Sequence, residues 1–178
     1  MRRIIGIHGL IAGAVMSAML VLMLPFRDTI GFDKGAIVGY TSMVLAFLMV
    51  YFGVRTYRDD VAGGRIGFWR ALGVGVAIVA VASVVYVVTW ELVYRLALPN
   101  FMDEYAAYAI DQARRAGAGA AQLAALTKEM DGYREMYARM PVRLALTLAE
   151  PLPVGLLFAV GSAAWLSRRP RQPAGAGH

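Results

Sequence analysis

The stretch that decides the fold is residues 71–90, which read ALGVGVAIVAVASVVYVVTW. It contains no charged side chain, and its few polar atoms belong to serine, threonine, tyrosine and tryptophan. A hydrocarbon core about 30 Å thick requires roughly 20 apolar residues in a helix, since lipid offers no water to an unpaired backbone amide. The stretch therefore predicts a transmembrane helix.

Three further segments have the same character. They are residues 4–24, 36–54 and 144–166, the last of which is interrupted by Glu150. The first is longer than the roughly 7–15 residues of the apolar core in a signal peptide, so we interpret it as a retained helix. The pattern predicts an all-α membrane protein with four transmembrane helices, and we treat residues 1–167 as one membrane domain.

The composition excludes most soluble classes of protein. Of the 178 residues, 59% are hydrophobic and 17% are charged, whereas a soluble domain averages roughly 45–50% apolar residues. There is no cysteine, and the two histidines, His8 and His178, lie near opposite ends of the chain. No nucleophile triad, phosphate-binding loop or carboxylate dyad is recognisable. We therefore expect no enzyme activity, no catalytic residue, no cofactor and no bound metal.

The distribution of arginine predicts the orientation. The N-terminus, the connection after the second span and the C-terminal tail together carry nine arginines and two aspartates. The other two connections are neutral, and the longer one, residues 91–143, carries seven basic and seven acidic residues. Because positive loops stay in the cytoplasm, both termini should be cytoplasmic. Topology thus explains the net charge of +6, so the lipid bilayer is the expected partner and nucleic acid is not. The tail, residues 168–178, is rich in proline and glycine, and we expect it to be disordered.

Several short motifs, read in order, resemble one known family. They are GYTSM (39–43), FGVRTYRD (52–59), GGRIGF (63–68), YVVTW (86–90), PNFM (99–102) and EPLPVG (150–155). Together they resemble a bacterial membrane family, domain of unknown function 4199, over nearly the whole chain, and the Tyr-Arg-Asp loop is the most specific part. The Gly-Ala-Gly run at residues 117–119 is a departure. The resemblance implies a four-helix protein of the bacterial inner membrane and supplies no activity, ligand or catalytic residue.

The third connection is too polar to span a membrane and predicts two helices. Asn100 followed by Asp103 has the pattern of a helix N-cap, and the glycine-rich residues 116–119 favour a break. We therefore expect an outer helical hairpin over residues 99–140. Its apolar stripes either pack against each other or serve as a partner-binding or homodimerising surface. The predicted seam of the second helix recurs at spacings of three and four and comprises Leu123, Leu126, Met130, Tyr133, Tyr137 and Met140.

Glu150 is the most informative side chain of the predicted spans. Pro151 and Pro153 follow it, and each proline removes a helical hydrogen bond, so the fourth span should be kinked or broken. A carboxylate in hydrocarbon costs on the order of 2.5–3.5 kcal/mol, which favours a position facing the bundle or water. Glu150 then either caps the inner half-helix or binds a proton or cation.

Three more charged residues belong to this candidate polar site. Glu91 and Arg95 are four residues apart, which favours a local ion pair on one helix. Arg143 lies at the start of the fourth span and could pair with either Glu91 or Glu150 across a helix interface.

The connection after the second span is a candidate cytoplasmic contact loop. Its double glycine suits a turn with positive φ. Its arginines either fix the topology and contact lipid headgroups or dock an anionic ligand. The residues concerned are Arg55, Tyr57, Arg58, Asp59, Gly63, Gly64, Arg65 and Arg70.

Two functional hypotheses stay open. The first is a small scaffold or accessory protein whose hairpin and inner loop contact a membrane-protein partner or a second copy. The small-residue stripes Gly9-x-x-x-Gly13 and Gly155-x-x-x-Ala159 favour close packing within the bundle or a homo-oligomer. The second is a proton or small-solute channel or carrier centred on Glu150 and the Pro-x-Pro kink.

Overall fold

The structure, a computed structural model, describes residues 1–168, and every regular element among them is helical, which confirms the all-α part of the predicted fold class. Arg168 is the last residue of the final helix, and the rest of the predicted disordered tail lies outside the described residues. A short 3₁₀ turn, Leu24–Phe26, follows the first helix. The helices are α1 (Arg2–Met23), α2 (Arg27–Asp60), α3 (Phe68–Leu96), α4 (Phe101–Arg115), α5 (Ala120–Ala138), α6 (Met140–Ala149) and α7 (Leu152–Arg168).

Three helical stretches are long and apolar enough to cross a membrane: Arg2–Asp60, Phe68–Leu96 and Met140–Arg168. Their outward surfaces carry large apolar side chains, among them Leu22, which is 62% exposed, and Leu157, which is 73% exposed. A soluble monomer rarely exposes continuous apolar surface, whereas lipid solvates it. These stretches indicate a membrane protein.

The first of the three stretches changes direction at Gly31. Its φ of 71° and ψ of 172° are non-helical, and only glycine adopts such a conformation without steric cost. Helix α1 packs against α2, with His8 near the start of α1 lying beside Gly53 near the end of α2. The two helices therefore run antiparallel, although the chain from Arg2 to Asp60 is helical almost throughout.

Contacts divide the chain into two compact units. The first, called here the bundle unit, comprises Met1–Val88 and the chain from Leu148 onward. The second, the hairpin unit, comprises Thr89–Thr147. Residues 1–167, which the sequence suggested to be one domain, thus contribute to both units.

Glycines bring α1 close to α3 in the bundle unit. A Cβ on Gly9 would lie 2.6 Å from the Cβ of Val81, and one on Gly13 would lie 2.6 Å from the Cβ of Val85. Equal spacing along both helices means that α1 and α3 run parallel. No side chain fits between these backbones, so only glycine permits this approach.

The small residues of α7 also pack inside the bundle unit. A Cβ on Gly155 would lie 2.5 Å from Val79 and 3.0 Å from the ring of Phe47, and Ala159 lies against Gly75. Helix α7 is therefore antiparallel to α3. These small-residue stripes therefore mediate close packing between helices of the chain.

Helix α3 lies at the centre of the bundle unit, since α1, α2 and α7 all contact it. The directions of these helices bring the start of α1, the end of α2, the start of α3 and the end of α7 to one end, called here the arginine-rich end. The largest fully buried side chains form the core between the helices; they include Met16, Met43, Phe47, Val50, Val54, Tyr57, Val74, Ile78 and Val79.

In the hairpin unit, α4 and α5 pack against each other across a glycine turn. Gly117 has a φ of 85°, and the N–H of Ala118 donates to the carbonyl of Ala113 at 3.0 Å. An ion pair at 2.9 Å joins Arg134 of α5 to Asp103 of α4. The glycine run thus reverses the chain between two helices.

The predicted seam of α5 is only partly buried. Met130 is buried, whereas Leu123, Leu126 and Tyr137 are half-buried. Tyr133 is 42% exposed, and Met140, the first residue of α6, is exposed as well, so these two seam residues do not pack inside the hairpin unit. Arg134, the neighbour of Tyr133, forms an ion pair with Asp103 in the acidic first turn of α4, so Arg134 faces α4 at this point of α5.

Candidate functional site

Glu150 lies at an interruption between α6 and α7, in the bundle unit. Pro151 is fully buried, and its carbonyl accepts the N–H of Gly155 at 2.9 Å, which closes the first turn of α7. Pro153 is exposed in the same turn. The hydroxyl of Tyr86 donates to Oε2 of Glu150 at 3.3 Å, and Glu150 is exposed at the surface of the chain. The carboxylate is thus held by one long hydrogen bond from α3.

Glu91 is held far more firmly, in the hairpin unit. Arg143 donates twice to it, from Nε to Oε2 and from Nη2 to Oε1, both at 2.8 Å. Arg95 donates from Nε to Oε1 at 2.6 Å. The side chains of Glu91 and Arg143 are 11% and 6% exposed, respectively. Of the two partners that the sequence left open for Arg143, the structure pairs it with Glu91.

Aromatic rings complete the surroundings of this ion pair. Cζ of Arg143 lies 4.2 Å from the centre of the Tyr94 ring, within the range of a cation–π contact. Nη1 of Arg143 donates to the Tyr137 carbonyl at 2.8 Å, and the indole of Trp90 donates to the Tyr137 hydroxyl at 2.6 Å. Burial raises the pKa of the Tyr137 hydroxyl. We call Glu91, Arg143, Arg95, Tyr94, Tyr137 and Trp90 the Glu91–Arg143 cluster.

The candidate contact loop folds back onto the end of α2. Gly63 and Gly64 have φ values of 66° and 87°, and the N–H of Gly64 donates to the Arg58 carbonyl at 2.9 Å. Arg58 is buried and donates from Nε to Asp59 at 2.8 Å, while Nε of Arg55 lies 3.8 Å from the same carboxylate. The aspartate therefore compensates two of the loop's arginines.

Arg70, at the start of α3, has a different environment. Its Nε donates to the hydroxyl of Tyr57 at 3.0 Å, and its Cζ lies 5.5 Å from the centre of that ring. Tyr57 is fully buried, whereas Arg65 and Arg70 are exposed. The eight residues of the predicted loop thus separate into an ion-paired group around Asp59, a glycine turn, and two exposed arginines, one of them anchored on Tyr57.

A family model described as "Protein of unknown function (DUF4199)" matches residues 7–168. The chain belongs to the DUF4199 family. The match includes every candidate site described above, which confirms the resemblance found in the motifs. No curated protein and no solved structure matches this DUF4199 chain.

Sequence reasoning missed the aromatic partners of the DUF4199 chain's charged residues. Tyr86 was noted only within a motif, and the roles of Tyr94, Tyr137 and Trp90 were not predicted. A signal for them exists, since a buried tyrosine hydroxyl or indole N–H usually needs a hydrogen-bond partner. The signal says that a partner exists but not which one, because the partners lie between 47 and 64 residues away in the chain.

Proposed function

We propose that the chain crosses the bacterial inner membrane four times, with both termini in the cytoplasm and α4 and α5 outside. Support comes from the antiparallel pairing of α1 with α2 across Gly31, which makes two spans from the first apolar stretch. The arginine-rich end adds a second argument, because cytoplasmic ends of membrane proteins retain positive charge.

Cysteine labelling in intact cells tests this topology. Gly119 and Asp60 are both exposed, and neither has a positive φ, so a cysteine fits the backbone at either position. A cysteine at Gly119 should react with a membrane-impermeant maleimide, and one at Asp60 should react only after the cells are permeabilised. The opposite labelling pattern would exclude the proposed orientation.

We further propose that the protein is a scaffold or accessory protein without catalytic activity, which contacts a membrane-protein partner or a second copy through the hairpin unit. The observation that carries this proposal is the Glu91–Arg143 cluster. Both oxygens of the Glu91 carboxylate accept hydrogen bonds from arginines. Charge-assisted hydrogen bonds of this kind are strong, so the cluster braces the helices that carry these residues. A braced hairpin presents a fixed surface.

That surface contains exposed side chains of the kind that are enriched at protein interfaces. Tyr133 and Met136 of α5 are 42% and 44% exposed, and Tyr105 of α4 is 39% exposed. The test is purification of the full chain in mild detergent, with a double substitution of Tyr133 and Met136 to serine. A partner in fixed stoichiometry should be lost from this variant and retained by Glu129→Gln, which alters an exposed polar position of the same helix. Equal recovery from both variants would exclude the hairpin surface.

A second candidate function, a channel or carrier for a proton or small solute, is favoured by one observation. Glu150 accepts a hydrogen bond from Tyr86, and one turn away on α3 the hydroxyl of Ser83 is buried without a hydrogen-bond partner. Polar groups at one level of an apolar bundle are typical of an ion path. Proton flux in proteoliposomes that Glu150→Gln abolishes, with the melting temperature intact, would support this function over the scaffold.

A further inference from the structure

The arginine-rich end of the bundle unit holds positive charge that its own carboxylates do not balance. Asp59 is engaged by Arg58 and Arg55, and Asp60 is the other acidic residue at the end of α2. The exposed arginines at this end that do not lie beside Asp59 are Arg2, Arg3, Arg65, Arg70 and Arg168. An anion that reaches this surface therefore meets a net positive potential.

Among these arginines, Arg70 is fixed in a geometry that suits an oxyanion. Its Nε is used for the bond to the Tyr57 hydroxyl, and Tyr57 itself is 1% exposed in the core. The anchor therefore fixes the guanidinium plane at a modest cost in side-chain entropy. Nη1 and Nη2 lie on the edge away from Nε, and two N–H groups on this edge match two oxygens of a phosphate.

We propose that Arg70, positioned by Tyr57, binds a phosphate group at the arginine-rich end. Trp69 precedes Arg70 and is 80% exposed, and Trp165 near the end of α7 is 52% exposed. Exposed tryptophans of membrane proteins sit at the level of the lipid headgroups. The phosphate of an anionic phospholipid is therefore the favoured source, and phosphate or a phosphate ester from solution is the other source of the same chemistry.

The test measures binding to the full chain in neutral detergent. Short-chain phosphatidylglycerol is titrated, and short-chain phosphatidylcholine and inorganic phosphate are titrated separately and as competitors. Saturable binding of phosphatidylglycerol that phosphate fails to displace assigns the site to lipid, and displacement by millimolar phosphate assigns it to a soluble anion. Absence of saturable binding by both would overturn the proposal.

Four variants separate a specific site from general positive charge. Arg70→Gln should weaken binding about tenfold or more, since a hydrogen-bonded charge is lost. Arg70→Lys should weaken it severalfold because it keeps the charge without the planar edge, and Tyr57→Phe should weaken it about threefold by freeing the guanidinium. Arg55→Gln removes the same charge from a residue beside Asp59 and should change binding less than about twofold.

Two outcomes contradict the proposal even if binding occurs. Equal losses in Arg55→Gln and Arg70→Gln would mean that only the overall charge of this end matters. Binding by Arg70→Lys as tight as that of the unmodified chain would mean that no planar, two-point contact exists. Melting temperatures without ligand check the folding of each variant, and if Arg70→Gln does not fold, Arg70→Lys and Tyr57→Phe still decide.

Discussion

The two glutamates of the candidate polar site differ in almost every physical respect. Glu91, in the hairpin unit, is nearly buried and accepts three hydrogen bonds from two arginines. Glu150, in the bundle unit, is exposed at the surface of the chain and accepts a 3.3 Å hydrogen bond from Tyr86. The carboxylate of Glu91 is therefore locked in place within the hairpin unit. The carboxylate of Glu150, in the bundle unit, is held by a weak and neutral donor.

This difference separates architecture from reactivity. A carboxylate bound by two guanidinium groups mainly stabilises the fold, since removing one partner leaves a charge that the protein must still solvate. A carboxylate held by a single hydroxyl can exchange that bond for water, a cation or a partner at small cost. We therefore assign stability to Glu91 and keep Glu150 as the side chain through which any ion chemistry would run.

The largest expected effect comes from breaking the ion pair of the hairpin unit. Arg143→Gln removes two of the three hydrogen bonds that Glu91 accepts, and the cation over the Tyr94 ring. We expect a loss of about 3 kcal/mol of unfolding free energy, the lower end of the range for a broken buried pair, because Arg95 still compensates Glu91. Denaturant titration in detergent, followed by tryptophan fluorescence, measures it.

A surface pair of the same unit serves as the control. Arg134 and Asp103 are partly exposed, so Arg134→Gln should cost under about 1 kcal/mol. If Arg143→Gln proved no more costly than Arg134→Gln, the Glu91–Arg143 cluster would not be a brace.

The next largest effect concerns the packing that supports Tyr86 and Glu150 in the bundle unit. Gly155→Ala would place a Cβ 2.5 Å from Val79 of α3, and overpacking of this kind costs about 1–3 kcal/mol. Gly161→Ala, on the same helix with open space around it, should instead be neutral or stabilising by up to about 1 kcal/mol. Thermal melts of both variants test the difference. Equal melting temperatures would mean that α7 does not approach α3 so closely.

A smaller effect is expected from the hydrogen bond of Glu150 itself. Tyr86→Phe should cost about 0.5–1.5 kcal/mol, because the lost hydrogen bond to Glu150 is long, at 3.3 Å, and the ring stays packed. Glu150→Gln keeps an acceptor for the tyrosine and should cost less than Tyr86→Phe. A loss above about 3 kcal/mol for Glu150→Gln would contradict the assignment of this residue to the loosely held class.

The fold could largely be predicted from the sequence because its signals are local. A run of apolar residues such as 71–90 predicts a helix by itself. In the fourth span, Pro151 predicts the point at which the helix is interrupted. The near-continuous helix from Arg2 to Asp60 could not be predicted, since Gly31 is one of two glycines in a polar connection. Its positive φ depends on the packing of α1 against α2.

The candidate sites were less predictable because their partners are distant in sequence. The pair of Glu91 and Arg95 follows from helix periodicity, whereas the choice of Arg143 between Glu91 and Glu150 depends on the register of helices far apart in the chain. The same limit applies to Tyr133. Periodicity placed it on an apolar seam, but in the structure it is exposed, and its neighbour Arg134 faces α4.

The smallest expected change in stability is at Tyr133. A substitution there tests whether the exposed surface of the hairpin unit contacts a partner without contributing to stability in the way that the Glu91–Arg143 cluster does. Because Tyr133 is 42% exposed, Tyr133→Ser should change the unfolding free energy by no more than about 0.5 kcal/mol. Met130, one turn earlier, is buried, and Met130→Ala should cost about 2 kcal/mol or more. Melting temperatures and the yield of any co-purified partner are measured for both. A scaffold that uses this surface predicts that Tyr133→Ser reduces partner recovery without lowering the melting temperature. A drop in melting temperature as large as that of Met130→Ala would instead place Tyr133 in the core of the hairpin and remove it from the contact surface.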